Sequence, residues 1–209
     1  MAMDIVYFDW GDVLGGNGDP QLFAYLTKEF GLDRGEIDHV ISEELIPLFK
    51  GRIKDQEFWS SVVNRVSYAG DAASFNGLFS RMYNPILFPR QEVLAVAQKV
   101  RDAGTRAGIL SNMIQPLADF CRADNYFAGF DPVIVSSEVG YMKREEGIYA
   151  TALSSAGIPR EQASRVLFVD NNPAYLAGAE RFGFRTILYD NRKDSIDTLE
   201  NKLHDARVF

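Results

Sequence analysis

Hydrophobic positions change their spacing along the chain, and the changes divide it. Residues 4–9, DIVYFD, are a short β-branched and aromatic run closing on Gly11, the pattern of a buried strand. A glycine patch follows at Gly15, Gly16 and Gly18, and the spacing then turns helical. Asp19-Pro20 opens a helix with a capping residue and a proline in the first turn. Leu22, Phe23, Leu26 and Phe30 recur at helical spacing before Gly31. Segments 35–50, 55–67 and 71–82 keep this period, with Phe58, Trp59, Val62, Val63 and Val66 on one face of the middle one.

From about residue 85 helices and strands alternate. Helix 89–103 stops at Gly104, and strand 106–110 (RAGIL) follows. Helix 115–124, strand 132–136, helix 145–156, strand 165–169 (RVLFV), helix 173–182, strand 185–189 and an amphipathic helix complete the chain. Such alternation implies βαβ units and a parallel sheet. One strand stands apart at the start, separated from the rest by several helices. The expected class is α/β: a Rossmann-like three-layer core with a parallel sheet, formed by 1–14 and 85–209, and an all-α insert over 15–84.

Composition narrows the setting. Hydrophobic residues make up 46% of 209, enough to bury a core without staples. The formal net charge of −7 disfavours nucleic acid and anionic membranes as partners, but not a small anionic substrate at a locally positive site. No apolar run approaches the roughly 20 residues of a membrane span. The acidic start, MAMDIVYFDW, does not suit a signal peptide, and Cys121, the single cysteine, suits a reducing compartment. A cytoplasmic protein is expected. His39 and His204 are the only histidines, which leaves no histidine metal cluster.

Ligands of open parallel sheets bind beyond the carboxyl ends of the strands. The first predicted strand ends at Asp9, the second at Ser111 and Asn112. The third leads through Glu138 to Lys143, and the fourth ends at Asp170, Asn171 and Asn172. Each has an ordinary reading: aspartate is a turn residue, Ser-Asn and Asn-Pro are helix caps, and a loop lysine is usually solvated. Their occurrence at successive strand ends is what suggests a shared site.

In that order the motifs resemble those of the haloacid dehalogenase superfamily, the aspartate-based phosphotransferases and their relatives. FDWGDVL resembles its first motif, LSN its second, Lys143 in SSEVGYMK its third and VDNNP its fourth. The insert, with FKGRIKDQEFW, is similar to the helical cap of the subfamily that places its cap directly after the first motif. The resemblance implies a phosphatase acting on a small phosphorylated substrate, such as a sugar phosphate. Asp9 would be the nucleophile, Ser111 and Asn112 would hold the phosphoryl group, and Lys143 would neutralise charge. Mg²⁺ would be bound by Asp9, the Gly11 carbonyl, Asp170 and Asn171.

Three positions depart from the family pattern. Gly11 stands where phosphatases of the family carry a second aspartate for proton transfer. Asp12 is adjacent, but neighbouring side chains of an extended segment point in opposite directions. Asn171 stands at the usual metal-ligand acid, and Arg144 replaces the usual proline. Two other functions stay open. In a 2-haloacid dehalogenase the same aspartate works without metal, and Asn172 and Tyr149 match positions of that subgroup. In a binding protein the fold would persist without turnover. The cap aromatics Phe23, Phe30, Phe49, Phe58, Trp59, Phe75 and Phe79 are expected mostly in the cap's own core, and Gly15 to Gly18 as a hinge.

Overall fold

The computed structural model describes residues 3–209. Five strands form one all-parallel sheet: β1 (Ile5–Phe8), β2 (Arg106–Ser111), β3 (Val133–Val135), β4 (Val166–Asp170) and β5 (Arg185–Leu188), in the spatial order β3-β2-β1-β4-β5. The first strand is therefore central, and the order reverses beside it. That is the topological switch point at which α/β sheets open a crevice. Register aligns Phe8 with Ile109 on one side and with Val169 on the other, so β1, β2 and β4 end nearly level.

Side-chain alternation along each strand makes two buried faces. Val6, Phe8, Ile109, Leu167 and Val169 pack with α5 (Gln91–Asp102), α6 (Gln115–Ala123) and α10 (Ile196–Asp205). Ile5, Tyr7, Leu110, Val166 and Phe168 pack with α8 (Glu146–Ser155) and α9 (Pro173–Arg181). This is the expected three-layer arrangement. The strands read as continuous apolar runs because both of their faces are covered.

Between β1 and α5 lie only helices: α1 (Asp19–Phe30), α2 (Arg34–Phe49), α3 (Asp55–Arg65) and α4 (Leu78–Tyr83) among them. Asp33 caps α2 in a reciprocal capping box with Glu36. Phe58, Trp59, Phe75 and Phe79 stack among themselves, with Trp59 and Phe79 centroids 4.9 Å apart. Each such ring, once buried, contributes about 1.5–3 kcal/mol by removal from water. This aromatic cluster is continuous with the sheet face that α5, α6 and α10 cover.

Two stretches differ from the sequence expectation. The periodic segment 71–82 is not one helix: a 3₁₀ turn over Ala72–Phe75 is followed by α4, with Gly77 between them at φ 66°. Only glycine adopts that left-handed geometry freely, and it interrupts the helix while the apolar spacing continues. A short helix, α7 (Ser136–Val139), follows β3 directly and is too short to show a period of its own.

Candidate active site

Asp9 follows β1 by one residue and still pairs through its N–H with the Val169 carbonyl at 2.9 Å, so the ladder fixes its backbone. Its Oδ1 accepts two hydrogen bonds, from its neighbour Trp10 N–H at 2.7 Å and from the Ser111 hydroxyl at 2.8 Å, and forms an ion pair with Lys143 Nζ at 2.7 Å. Oδ2 accepts none among the described residues. One oxygen is immobilised and the other has no partner among the described residues.

Lys143 is the pivot. Its Nζ also donates to Asp170 Oδ2 at 2.6 Å, and the ammonium is fully enclosed. Its backbone N–H donates to Asn112 Oδ1 at 2.9 Å. The loop that carries it is held on both sides: Glu145 accepts from the Met142 N–H at 2.8 Å and from Lys50 Nζ, on the inserted helices, at 2.6 Å. Arg144, between them, takes φ 117°, a conformation that costs a side-chain-bearing residue energy and persists only when its surroundings enforce it. Arg144 does not reach the cavity wall; its guanidinium lies 5.3 Å from the Tyr175 ring centroid.

Burial and pairing set the charges of this group. Burial alone would lower the Lys143 pKa, but Asp170 and Asp9 outweigh it and hold the ammonium up at about 12. Burial pushes Asp170 up to about 6; Lys143 opposes that shift and Asp9 adds to it.

Asp9, Ser111, Asn112, Lys143 and Asn171 all line one cavity of about 540 Å³ at the carboxyl end of the sheet. The inserted helices contribute Phe49, Phe79 and Tyr83 to its wall. No family model matches the chain. Solved structures do. A HAD family enzyme from Bacteroides thetaiotaomicron has a TM-score of 0.78 at 16% identity, covering 95% of this chain and 99% of its own. Its complex with magnesium and inorganic phosphate scores 0.73 at 17% identity, over 92% and 97%. A predicted HAD-like family hydrolase from Porphyromonas gingivalis scores 0.68 at 22%, over 97% and 98%, and an L-2-haloacid dehalogenase 0.59 at 22%, over 90% and 86%. The fold is that of the haloacid dehalogenase (HAD) superfamily.

On this HAD fold the residues singled out in the sequence converge, with some differences of placement. Ser111 donates to Asp9, so its hydroxyl is engaged within the site. Asn112 is the freer donor: its Nδ2 is buried without an acceptor. Such an orphan donor is costly unless a ligand satisfies it. Asp170, expected among the metal ligands, is completely buried and is not on the wall. Its Oδ1 accepts from the Asn172 N–H at 2.7 Å and its Oδ2 from Lys143, so it enters the site through the lysine. Asn172 caps α9 through the Ala174 N–H, and Tyr149, also off the wall, donates to the Tyr175 carbonyl.

Asp12 is what sequence reasoning set aside. The segment is not extended there: Asp12 takes φ 58° and lines the same cavity as Asp9. Asn17 donates to its carboxylate at 3.0 Å and Arg192 lies 3.3 Å from it. Burial raises its pKa against the pull of both. A positive φ at an aspartate leaves no period in a sequence, so nothing signalled this placement. Gly11 has nothing within 4 Å of an added Cβ, so no steric need keeps that position bare. The other glycines differ. A Cβ on Gly16 would meet the Ile86 carbonyl at 2.1 Å, and one on Gly18 the Tyr83 ring at 2.6 Å. They permit close packing of the chain entering the inserted helices against the chain leaving them.

Proposed function

We propose that this chain is a HAD-type hydrolase that cleaves small phosphate monoesters through a covalent aspartyl-phosphate on Asp9. The observation that carries the reading is the asymmetry of the Asp9 carboxylate: Oδ1 is held by two hydrogen bonds and an ion pair, and Oδ2, on a residue of the cavity wall, is free to attack. Oδ2 forms a bond to phosphorus as the bond to the ester oxygen breaks, and that oxygen leaves with the electron pair as an alkoxide or aryloxide. Water then attacks phosphorus, the bond to Oδ2 breaks and restores the Asp9 carboxylate, and the proton that water gives up passes to solvent, where the released oxygen is protonated. Lys143 stays protonated and neutralises Asp9 and the phosphoryl oxygens beside it, while Asp170 keeps the lysine in place. The Asn112 side-chain amide donates to a phosphoryl oxygen.

Mg²⁺ suits the oxygen donors on the wall. These are the free oxygen of Asp9, the Gly11 carbonyl, which accepts no backbone hydrogen bond among the described residues, and the Asn171 amide. No group of three acidic, histidine or cysteine side chains forms a cage among the described residues, which matches a cation that keeps waters and shares phosphate oxygens. Bound there, Mg²⁺ would supply charge neutralisation for the transferring phosphoryl group. The Bacteroides enzyme crystallised with magnesium and phosphate supports this choice. In this reading the inserted helices act as a cap that selects the leaving group.

Gly11 offers no proton to the departing oxygen, so esters whose leaving group departs without one, such as aryl phosphates, are the better substrates. The similarity to a haloacid dehalogenase motivates the competing chemistry. A 2-haloacid brings a carboxylate, yet Lys143, already shared by two carboxylates, is the one cation on the wall among the described residues. An aryl phosphate assay with and without Mg²⁺ tests the proposal. Mg²⁺-dependent hydrolysis lost in Asp9→Asn supports it; halide release from a 2-haloacid in chelator, with no ester hydrolysis, refutes it.

A further inference from the structure

The charges around the cavity are unevenly distributed, and the imbalance bears on the leaving group. This inference rests on the phosphatase reading. The wall carries three carboxylates, Asp9, Asp12 and Asp19, against the single ammonium of Lys143. Most nearby cations are already paired. Lys143 lies between Asp9 and Asp170, Lys50 pairs with Glu145, and Arg192 pairs with Asp12 and Asp190. Arg90 and Arg192 face an adjoining, smaller cavity of about 260 Å³.

Asp19 is the wall carboxylate that forms no ion pair among the described residues; Arg192 acts on it only at longer range. Asp19 is exposed at the first turn of α1, where Tyr83, itself on the wall, donates its hydroxyl to it. The partial positive charge of the α1 N-terminus is about half an elementary charge and does not cancel a full carboxylate. Apart from Asn17, whose side chain is taken up by Asp12 and the Asp19 N–H, the rest of the wall that the inserted helices and the segment after them contribute is aromatic and aliphatic, with Phe49, Phe79, Tyr83 and Leu87. Ring faces attract cations and offer nothing to anions.

We propose that the cavity selects phosphate monoesters whose leaving group carries no second negative charge, and prefers those bearing a cationic amine near Asp19. A bisphosphate or a phosphorylated carboxylic acid would place its second anion against Asp19 and the aromatic wall. An amine there meets a carboxylate and π faces. The adjoining cavity that Arg90 and Arg192 face shares only Asp12, Gly16 and Asn17 with this one.

The test measures binding, so it does not depend on turnover. Calorimetry at low ionic strength with Mg²⁺ compares three phosphonates of matched length, which a phosphatase does not cleave: 3-aminopropylphosphonate, propylphosphonate and 3-phosphonopropionate. The expected order is amine, then neutral, then carboxylate, with about tenfold between the ends. Added salt narrows that interval because exposed charges are screened. Asp19→Asn should shrink it and Asp19→Lys should reverse it. Equal affinities, tighter binding of the carboxylate, or an order unchanged in Asp19→Lys would overturn the inference. The aryl phosphate assay, run in parallel on the wild-type protein, reports separately on the phosphatase reading: hydrolysis with no charge preference sinks this inference alone.

Discussion

On the sheet side of the cavity, Asp9 has two hydrogen bonds and an ion pair on one oxygen and Lys143 is fixed between two carboxylates; on the helical side, Phe79 and Tyr83 are held by rings packed on rings. The first side is directional. Asp9, Ser111 and Asp170 sit at the ends of β1, β2 and β4, whose parallel register brings them level, and Lys143 reaches them from the loop after α7. The second side is non-directional, and hydrophobic packing tolerates change of shape so long as volume is kept. The contrast teaches where variation can enter. Chemistry at the strand ends needs distances of hydrogen-bond length, whereas selection of a leaving group needs only a differently shaped and charged wall.

Breaking the directional side should have the largest effect. Lys143→Met leaves Asp9 and Asp170 facing each other with no cation between them. Loss of one partner from a buried charged set costs about 3–5 kcal/mol. A thermal melt should show that loss, and ester hydrolysis should disappear with it. Gly11→Asp sharpens the same side instead. The added side chain has room at its Cβ, so the melting temperature should hardly move. A carboxyl able to protonate the leaving group should raise kcat for alkyl esters about 100-fold, the low end for general acid catalysis, and raise aryl esters less.

Support of the sheet side from behind should show in pH. Burial would raise the Asp190 pKa, but hydrogen bonds and charge from Arg192 and Lys193 outweigh it and hold the group below its ordinary 3.8. A depressed folded value stabilises the protein above pH 3.8, and the contribution fades as pH falls towards the folded value. Asp190→Asn should therefore melt earlier than wild type at pH 7, and the gap should close below pH 3.8. The smallest effect belongs to the tie between the two sides. Lys50→Met removes the ion pair with Glu145, which is part-exposed on the Glu145 side. It should cost about 1 kcal/mol or less. If the tie helps place the Lys143 loop, kcat falls with it; an unchanged kcat would mean that Asn112 and Asp170 suffice.

Most of the fold was legible because its signals are local. β1, α1 and the alternating half appear within a residue or two of their expected bounds. The break at Gly77 was hidden because Phe75, Leu78 and Phe79 keep apolar spacing across it. At the site, the meeting of Asp9, Ser111, Lys143 and Asp170 followed from strand ends. What did not follow was who binds whom. That Asp170 gives both oxygens to Lys143 and the Asn172 N–H depends on burial, which a motif does not encode. That Asp12 turns into the cavity depends on one dihedral angle.

The proposed mechanism depends on Asp9 being the nucleophile. Acid quenching during hydrolysis of an aryl phosphate with Mg²⁺, followed by peptide mass spectrometry, tests it most directly. The account predicts one phosphoryl group on the peptide that contains Asp9, on Asp9 itself, and none in Asp9→Asn. Hydrolysis that proceeds with no phosphoryl group on Asp9, or that survives Asp9→Asn, would contradict it.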